Sequence, residues 1–156
     1  IIKEESLIRA CEDGQDKDAR WNMMMASTEG AMAFSKGLGA VHSMSHALGA
    51  NQELRLHHGT LNAVILPSVL RFNQNHVENK YTRIARAMGD KVTTDLANEI
   101  EKLNEKIGMP ASLSVMGVTE DMIPQLVAHA ATDPSNLTTP RLPSIEEWEK
   151  LFLEAM

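Results

Sequence analysis

TTDLANEIEKLNEKI, residues Thr93 to Ile107, sets the fold class of this chain. Leu96, Ile100, Leu103 and Ile107 recur at alternating spacings of four and three, which places them on one face of an α-helix. Asn98, Glu101, Lys102 and Glu105 occupy the opposite face, and Gly108 and Pro110 end the pattern. Nothing in the stretch alternates with the period of a strand.

Helical signals continue on both sides. Downstream, Thr119 reads as the cap of a helix running to about Ala131, with Glu120 and Asp121 in its favourable first turn. Pro140 and Pro143 punctuate a loop, and Ser144 followed by Glu147 forms a capping box for a last helix. Upstream, a short helix is expected from Lys3 to Asp13, stopping at Gly14. A longer one is expected from Asp16 to Lys36, with Trp21, Met24, Met25, Thr28, Met32 and Ala33 near helical spacing, broken by Gly37-Leu38-Gly39. Ala40 to Leu48 reads as a third helix with Gly49 as C-terminal cap, and Ala50 to Leu56 as a loop. A fourth starts near Gly59 and runs to about Asn73; its segment Ala63-Val64-Ile65-Leu66 is apolar all round and therefore expected buried, and Pro67 is expected to kink it. Tyr81 to Met88 is a further short helix ending at Gly89. No strand pair, internal repeat or low-complexity tract interrupts this series. The expected fold is all-α, a compact multi-helix bundle of about seven or eight helices.

Composition agrees. The 156 residues are enough for one domain with a core, and aromatic residues make up 4% while Met numbers ten, a balance that favours helices over sheets. Net charge is −6 with no basic stripe, so nucleic acid is not an expected partner. No apolar run reaches membrane-spanning length. The single cysteine, Cys11, cannot form an internal disulfide, which fits a reducing, cytoplasmic setting. Its neighbours Glu12 and Asp13 would raise rather than lower its pKa, so it reads as an ordinary helix cysteine. Asn136-Leu137-Thr138 is a glycosylation sequon only in a secreted protein and reads as coincidence. The opening residues Ile1 to Glu5 read like the middle of a helix, which leads to the expectation of a fragment or processed chain.

The chemistry concentrates in one place. Four of the six histidines, His42, His46, His57 and His58, fall within 17 residues. His42 and His46, four apart on an expected helix, emerge on the same face and can share a metal or line one pocket. The stretch His42-Ser43-Met44-Ser45-His46 lacks the Glu of a zinc-peptidase motif. His57 and His58 point in different directions, so at most one joins the same centre. The acids of the chain offer no recognisable partner motif. Three readings stay open on residues alone: an incomplete metal site, a non-catalytic helical binding domain whose histidines are packing residues, and a hydrolase with a self-contained zinc site.

The stretch GLGAVHSMSHALGANQELRLHHGTLNAVILP, Gly37 to Pro67, resembles the signature of iron-containing (group III) alcohol dehydrogenases, with G-x-x-H-x-x-x-H-x-L-G followed by H-G and N-A-x-x-L-P. YTRIARAMG and GMPASLSVMGVTED, beginning at Tyr81 and Gly108, resemble later helices of that family. The resemblance implies a fold like the dehydroquinate synthase-type C-terminal domain. It makes residues 1–156 a helical metal and substrate domain, with the N-terminal dinucleotide-binding domain absent from this chain. It also implies a metal, Fe²⁺ or Zn²⁺, held by one Asp and three His. His42 and His58 match two of those ligands. His46 matches a residue near substrate and nicotinamide that serves proton transfer, a task suited to imidazole. The other two ligands come from a D-x-x-x-H motif that this chain lacks, and no GxGxxG or GGGS is present. The loop between His42 and His58 is about two residues longer than in many relatives, and His57 stands where Pro is common. The implied activity of the intact enzyme is interconversion of small alcohols with aldehydes or ketones using NAD or NADP, in a homo-oligomer, with this chain inactive alone. Maleylacetate reductases are the related alternative.

Overall fold

A computed structural model describes residues 4–77, 79–89 and 95–156. Eight α-helices are present among them: α1 Glu4–Glu12, α2 Lys17–Ala33, α3 Ala40–Gly49, α4 His58–Asn73, α5 Lys80–Gly89, α6 Leu96–Lys106, α7 Ile123–Thr132 and α8 Ile145–Glu154. Short 3₁₀ turns extend several of them, and no strand occurs among the described residues. None of these helices is long and apolar enough to cross a membrane. The all-α expectation holds element by element. The expected helix starts at Lys3 and Thr93 lie outside the described residues.

The core forms where α3 packs on α4 and α7, and α7 and α4 pack on α8. Trp148 and Phe152 of α8 meet Met44 and Leu48 of α3 and Leu61 and Ile65 of α4, all fully buried. A second cluster joins Leu70 of α4, Ala85 of α5, and Leu96 and Ala97 of α6. On the face of α6 read from its periodicity Leu96 is buried and Ile100, Leu103 and Ile107 are half-buried; on the opposite face Glu101, Lys102 and Glu105 are exposed and Asn98 is half-buried. The Ala63–Leu66 segment is buried at Val64 and Ile65 only; Ala63 and Leu66 are half-buried.

Pro67 sits inside α4, which continues through it. Proline has no N–H, so the carbonyl four residues earlier, that of Ala63, loses its helical donor. Asn104 of α6 supplies the replacement, donating Nδ2–H to Ala63 O at 2.7 Å. This side-chain bond ties α6 to α4 where the helix would otherwise bury an unsatisfied carbonyl.

Two expected caps differ in detail. Gly49 is the last residue of α3 and its cap is Ala50 in ordinary right-handed geometry, so no left-handed glycine ends this helix. Thr119 makes no side-chain cap bond; a 3₁₀ turn, Glu120–Met122, leads into α7, and Pro124 fits in its first turn. The capping box of α8 is present: Ser144 Oγ accepts from Glu147 N at 3.3 Å, and Glu147 Oε2 accepts from Ser144 N at 2.9 Å. Arg141 pairs with the other Glu147 oxygen at 2.7 Å and, with the Ser144 amide bond as the larger effect, holds that carboxyl below its ordinary pKa.

The periodic apolar residues of α2 do not face the core. Trp21, Met24 and Met32 are exposed, as is Phe34 just beyond the helix, and α2 packs chiefly on α1. Cys11 lies exposed on α1 with no disulfide partner.

Candidate metal centre

Two helices bring three of the four clustered histidines together. α3 starts at Ala40 after the turn around Gly37, whose φ of +98° suits glycine. A Cβ there would overlap the Thr138 side chain, so Gly37 also lets the Pro134–Thr138 turn close onto the entry to α3. Thr138 Oγ1 donates to Leu38 O at 2.6 Å across that contact. His42 and His46 project from α3 one turn apart, and His58 opens α4 against them. Ring centroids are 5.3 Å apart for His42–His58, 5.5 Å for His46–His58 and 5.8 Å for His42–His46. His57 leaves the cluster: it is the N-cap of α4, its Nδ1 accepting from Thr60 N at 3.3 Å.

Each clustered imidazole has a different setting. The His42 ring makes no hydrogen bond among the described residues; it meets Phe34 edge-on at 5.8 Å. Burial, and then the neighbouring His58 and His46, hold its pKa below the ordinary imidazole value, so it stays neutral at pH 7 with a lone pair to give. His58 Nε2 accepts from Asn62 Nδ2 at 3.1 Å, and its Nδ1 stands 3.4 Å from Ser45 Oγ. Asn62 Oδ1 is buried without a partner among the described residues. His46 Nδ1 faces Asp133 Oδ2 at 3.0 Å.

An imidazole nitrogen bonds Zn²⁺ at about 2.0–2.1 Å, so two ligand rings at a tetrahedral angle have centroids about 5.2 Å apart. His42 and His58 are at that separation, with ring planes inclined by 53° so that in-plane lone pairs can converge. His46 and His58 stand 5.5 Å apart between ring centroids, with ring planes inclined by 18°. Two imidazoles are suitable donors for Fe²⁺ or Zn²⁺, and they make half of a four-ligand set. Among the described residues no group of three or more His, Cys, Asp or Glu side chains is placed to hold a metal. His42 also borders an apolar cavity of about 420 Å³ walled by Ala63, Leu66, Val69 and Leu70.

The residue that local sequence reasoning misses is Asp133. It lies 87 positions from His46, in a turn that carries no motif of its own. Asn136, read above as part of a chance sequon, is structural: its Oδ1 accepts from Ser43 Oγ at 2.7 Å and its Nδ2 donates to Ala130 O at 2.8 Å.

Comparison with known proteins places this helical domain. The model of the Fe-containing alcohol dehydrogenase family, C-terminal, matches residues 2–156. The chain belongs to that family. It is 44% identical over 155 residues to a 4-hydroxybutyrate dehydrogenase of Cupriavidus necator, covering 95% of this chain and 41% of that protein. It is 36% identical over 146 residues to a lactaldehyde reductase of Escherichia coli (strain K12), covering 88% of this chain and 38% of that protein. The crystal structure of a 1,3-propanediol oxidoreductase superposes with a TM-score of 0.92 at 32% identity, covering 98% of this chain and 42% of that one. The chain thus spans about two fifths of the length of these relatives.

Proposed function

We propose that this chain is the C-terminal metal- and substrate-binding portion of an NAD(P)-linked, metal-dependent alcohol dehydrogenase acting on small alcohols and the matching aldehydes or ketones. The observation that carries the reading is the convergence of His42 and His58 from α3 and α4, at a separation and inclination suited to two ligands of one ion. His42 and His58 would hold the metal, Fe²⁺ or Zn²⁺, as neutral donors. For His58 to use Nε2, the Asn62 amide must turn away from it. The remaining ligands and the dinucleotide site are assigned to a separate N-terminal segment of the enzyme.

When bound, the metal supplies Lewis acidity towards the substrate oxygen and the nicotinamide supplies the hydride chemistry. The chain's own residues do the rest. The low pKa of His42 keeps its lone pair available at neutral pH. His46, tied back by Asp133, keeps Nε2 free to take or return the hydroxyl proton at that atom. The exposed apolar stripe of α2 supports association with another protein surface, in keeping with the expected homo-oligomer.

The test is an assay of the full-length enzyme containing this chain, with a panel of small alcohols, both nucleotides, and added Fe²⁺ or Zn²⁺. The expected result is nucleotide reduction that a chelator removes and one of the two metals restores. Full activity after exhaustive chelation would overturn the metal-dependent reading.

A further inference from the structure

We propose that Asp133 is a positioning residue that locks His46 in the tautomer with the proton on Nδ1, leaving Nε2 as the free, lone-pair nitrogen. The inference rests on the reading of His46 as the proton-transfer side chain, and it concerns what makes that side chain competent.

The hydrogen bond itself dictates the tautomer. Burial pushes the Asp133 carboxyl up, but hydrogen bonds from the Ser135 side chain and amide and from His46 outweigh it and hold the carboxyl below its ordinary pKa. An ionised carboxylate only accepts, so the 3.0 Å contact requires His46 Nδ1 to carry hydrogen. The other nitrogen, Nε2, then has its lone pair exposed when the ring is neutral, and no described residue bonds to it. This division of labour recurs in acid–base sites, where a carboxylate fixes both the orientation and the protonated nitrogen of an imidazole.

The carboxylate is held from several directions, which separates it from a loose surface pair. Its side chain is 8% exposed. Oδ1 accepts from Ser135 N at 2.8 Å, so the rotamer that aims Oδ2 at His46 is fixed by the turn. The turn in turn is latched to α3 through Asn136, which accepts from Ser43, three residues before His46 on the same helix. Asn136 Nδ2 also bonds Ala130 O at 2.8 Å and Ala131 O at 3.2 Å, closing the end of α7. Donor and acceptor are therefore set by one rigid unit of α3, α7 and the Pro134–Thr138 turn. The His46 ring reaches the cluster 5.5 Å from that of His58 between centroids.

The experiment is long-range ¹H–¹⁵N correlation spectroscopy of the histidine rings, in the chain as it stands and in Asp133→Asn and Asp133→Ala, well above the imidazole titration range. The unaltered chain is expected to show His46 protonated on Nδ1 with Nε2 unprotonated. Asp133→Asn keeps an acceptor oxygen and should retain that tautomer, whereas Asp133→Ala should shift population to the Nε2-protonated form. A His46 carrying its proton on Nε2 in the unaltered chain overturns the proposal, even if Asp133→Ala fails to fold. So does a tautomer that Asp133→Ala leaves unchanged. In the full-length enzyme, Asp133→Ala should lower kcat about 10- to 100-fold with KM within about twofold, and Asp133→Asn should recover part of the loss. A shifted tautomer with unchanged kcat would sink the proton-transfer reading of His46 and leave its positioning by Asp133 standing.

Discussion

Alanine in place of Trp148 is expected to destabilise the domain by about 3–5 kcal/mol, a large share of the roughly 5–15 kcal/mol typical of a folded domain. Trp148 is fully buried on α8 in the same cluster as Met44, Leu48, Leu61 and Ile65, so its removal opens a cavity where α3, α4 and α8 meet. A closely packed interior relaxes only in part around such a void. At about 2–4 °C per kcal/mol for a chain of this length, the thermal midpoint should fall by roughly 6–20 °C. Trp21→Ala is the matched control: Trp21 is 61% exposed on α2, and its loss should change stability by no more than about 0.5 kcal/mol. Urea unfolding followed by far-ultraviolet circular dichroism measures both without relying on tryptophan emission. Equal midpoints for the two variants would contradict the placement of the core.

His46→Ala, introduced into the full-length enzyme, should lower kcat about 10²- to 10⁴-fold, the range attributed to a positioned acid–base group, with metal content within about twofold of the parent. The asymmetry follows from the cluster. His46 is bonded to Asp133, whereas His42 and His58 stand at the separation of two ligands on one ion. Metal content and turnover therefore report on different histidines. Metal lost in parallel with activity would make His46 a ligand and remove its role in proton transfer.

Much of the fold is legible because helices of this length declare themselves through local periodicity and caps. The α6 face from Leu96 to Ile107 and the Ser144–Glu147 capping box both depend on neighbours within one or two turns, and both are as expected. Features that depend on a distant partner are not legible. Pro67 announces a missing hydrogen bond, but its compensation by Asn104 comes from another helix. Gly49 has the composition of a left-handed cap, and the chain leaves α3 through Ala50 without needing one. The periodic apolar residues of α2 are correct for a helix and silent about which surface they face.

The candidate site divides along the same line. Histidine clustering is visible in one dimension, and the His42–His46 spacing correctly predicts a shared face. Spacing alone ranks the two equally as ligands. The difference between them lies in the approach of His58 from α4 to 5.3 Å from His42 and in the carboxylate of Asp133 at His46, neither of which adjoins them in sequence. His57 and His58 are adjacent, yet one caps α4 through Thr60 and the other joins the cluster, because the first residue of a helix and the residue before it project differently.

We propose that His42 and His58, and not His46, form the chain's metal-binding pair. Anaerobic calorimetric titration of the chain with Zn²⁺ or Fe²⁺, alongside His42→Ala, His58→Ala and His46→Ala, tests it most directly. Loss of a residue that merely supports a ligand costs about 10- to 100-fold in metal affinity, so loss of a ligand should cost at least about 100-fold. The expected result is weakening of that size in the His42 and His58 variants, with His46→Ala within several-fold of the unaltered chain. Binding that survives His58→Ala and disappears with His46→Ala would contradict the claim and place the metal between the two histidines of α3.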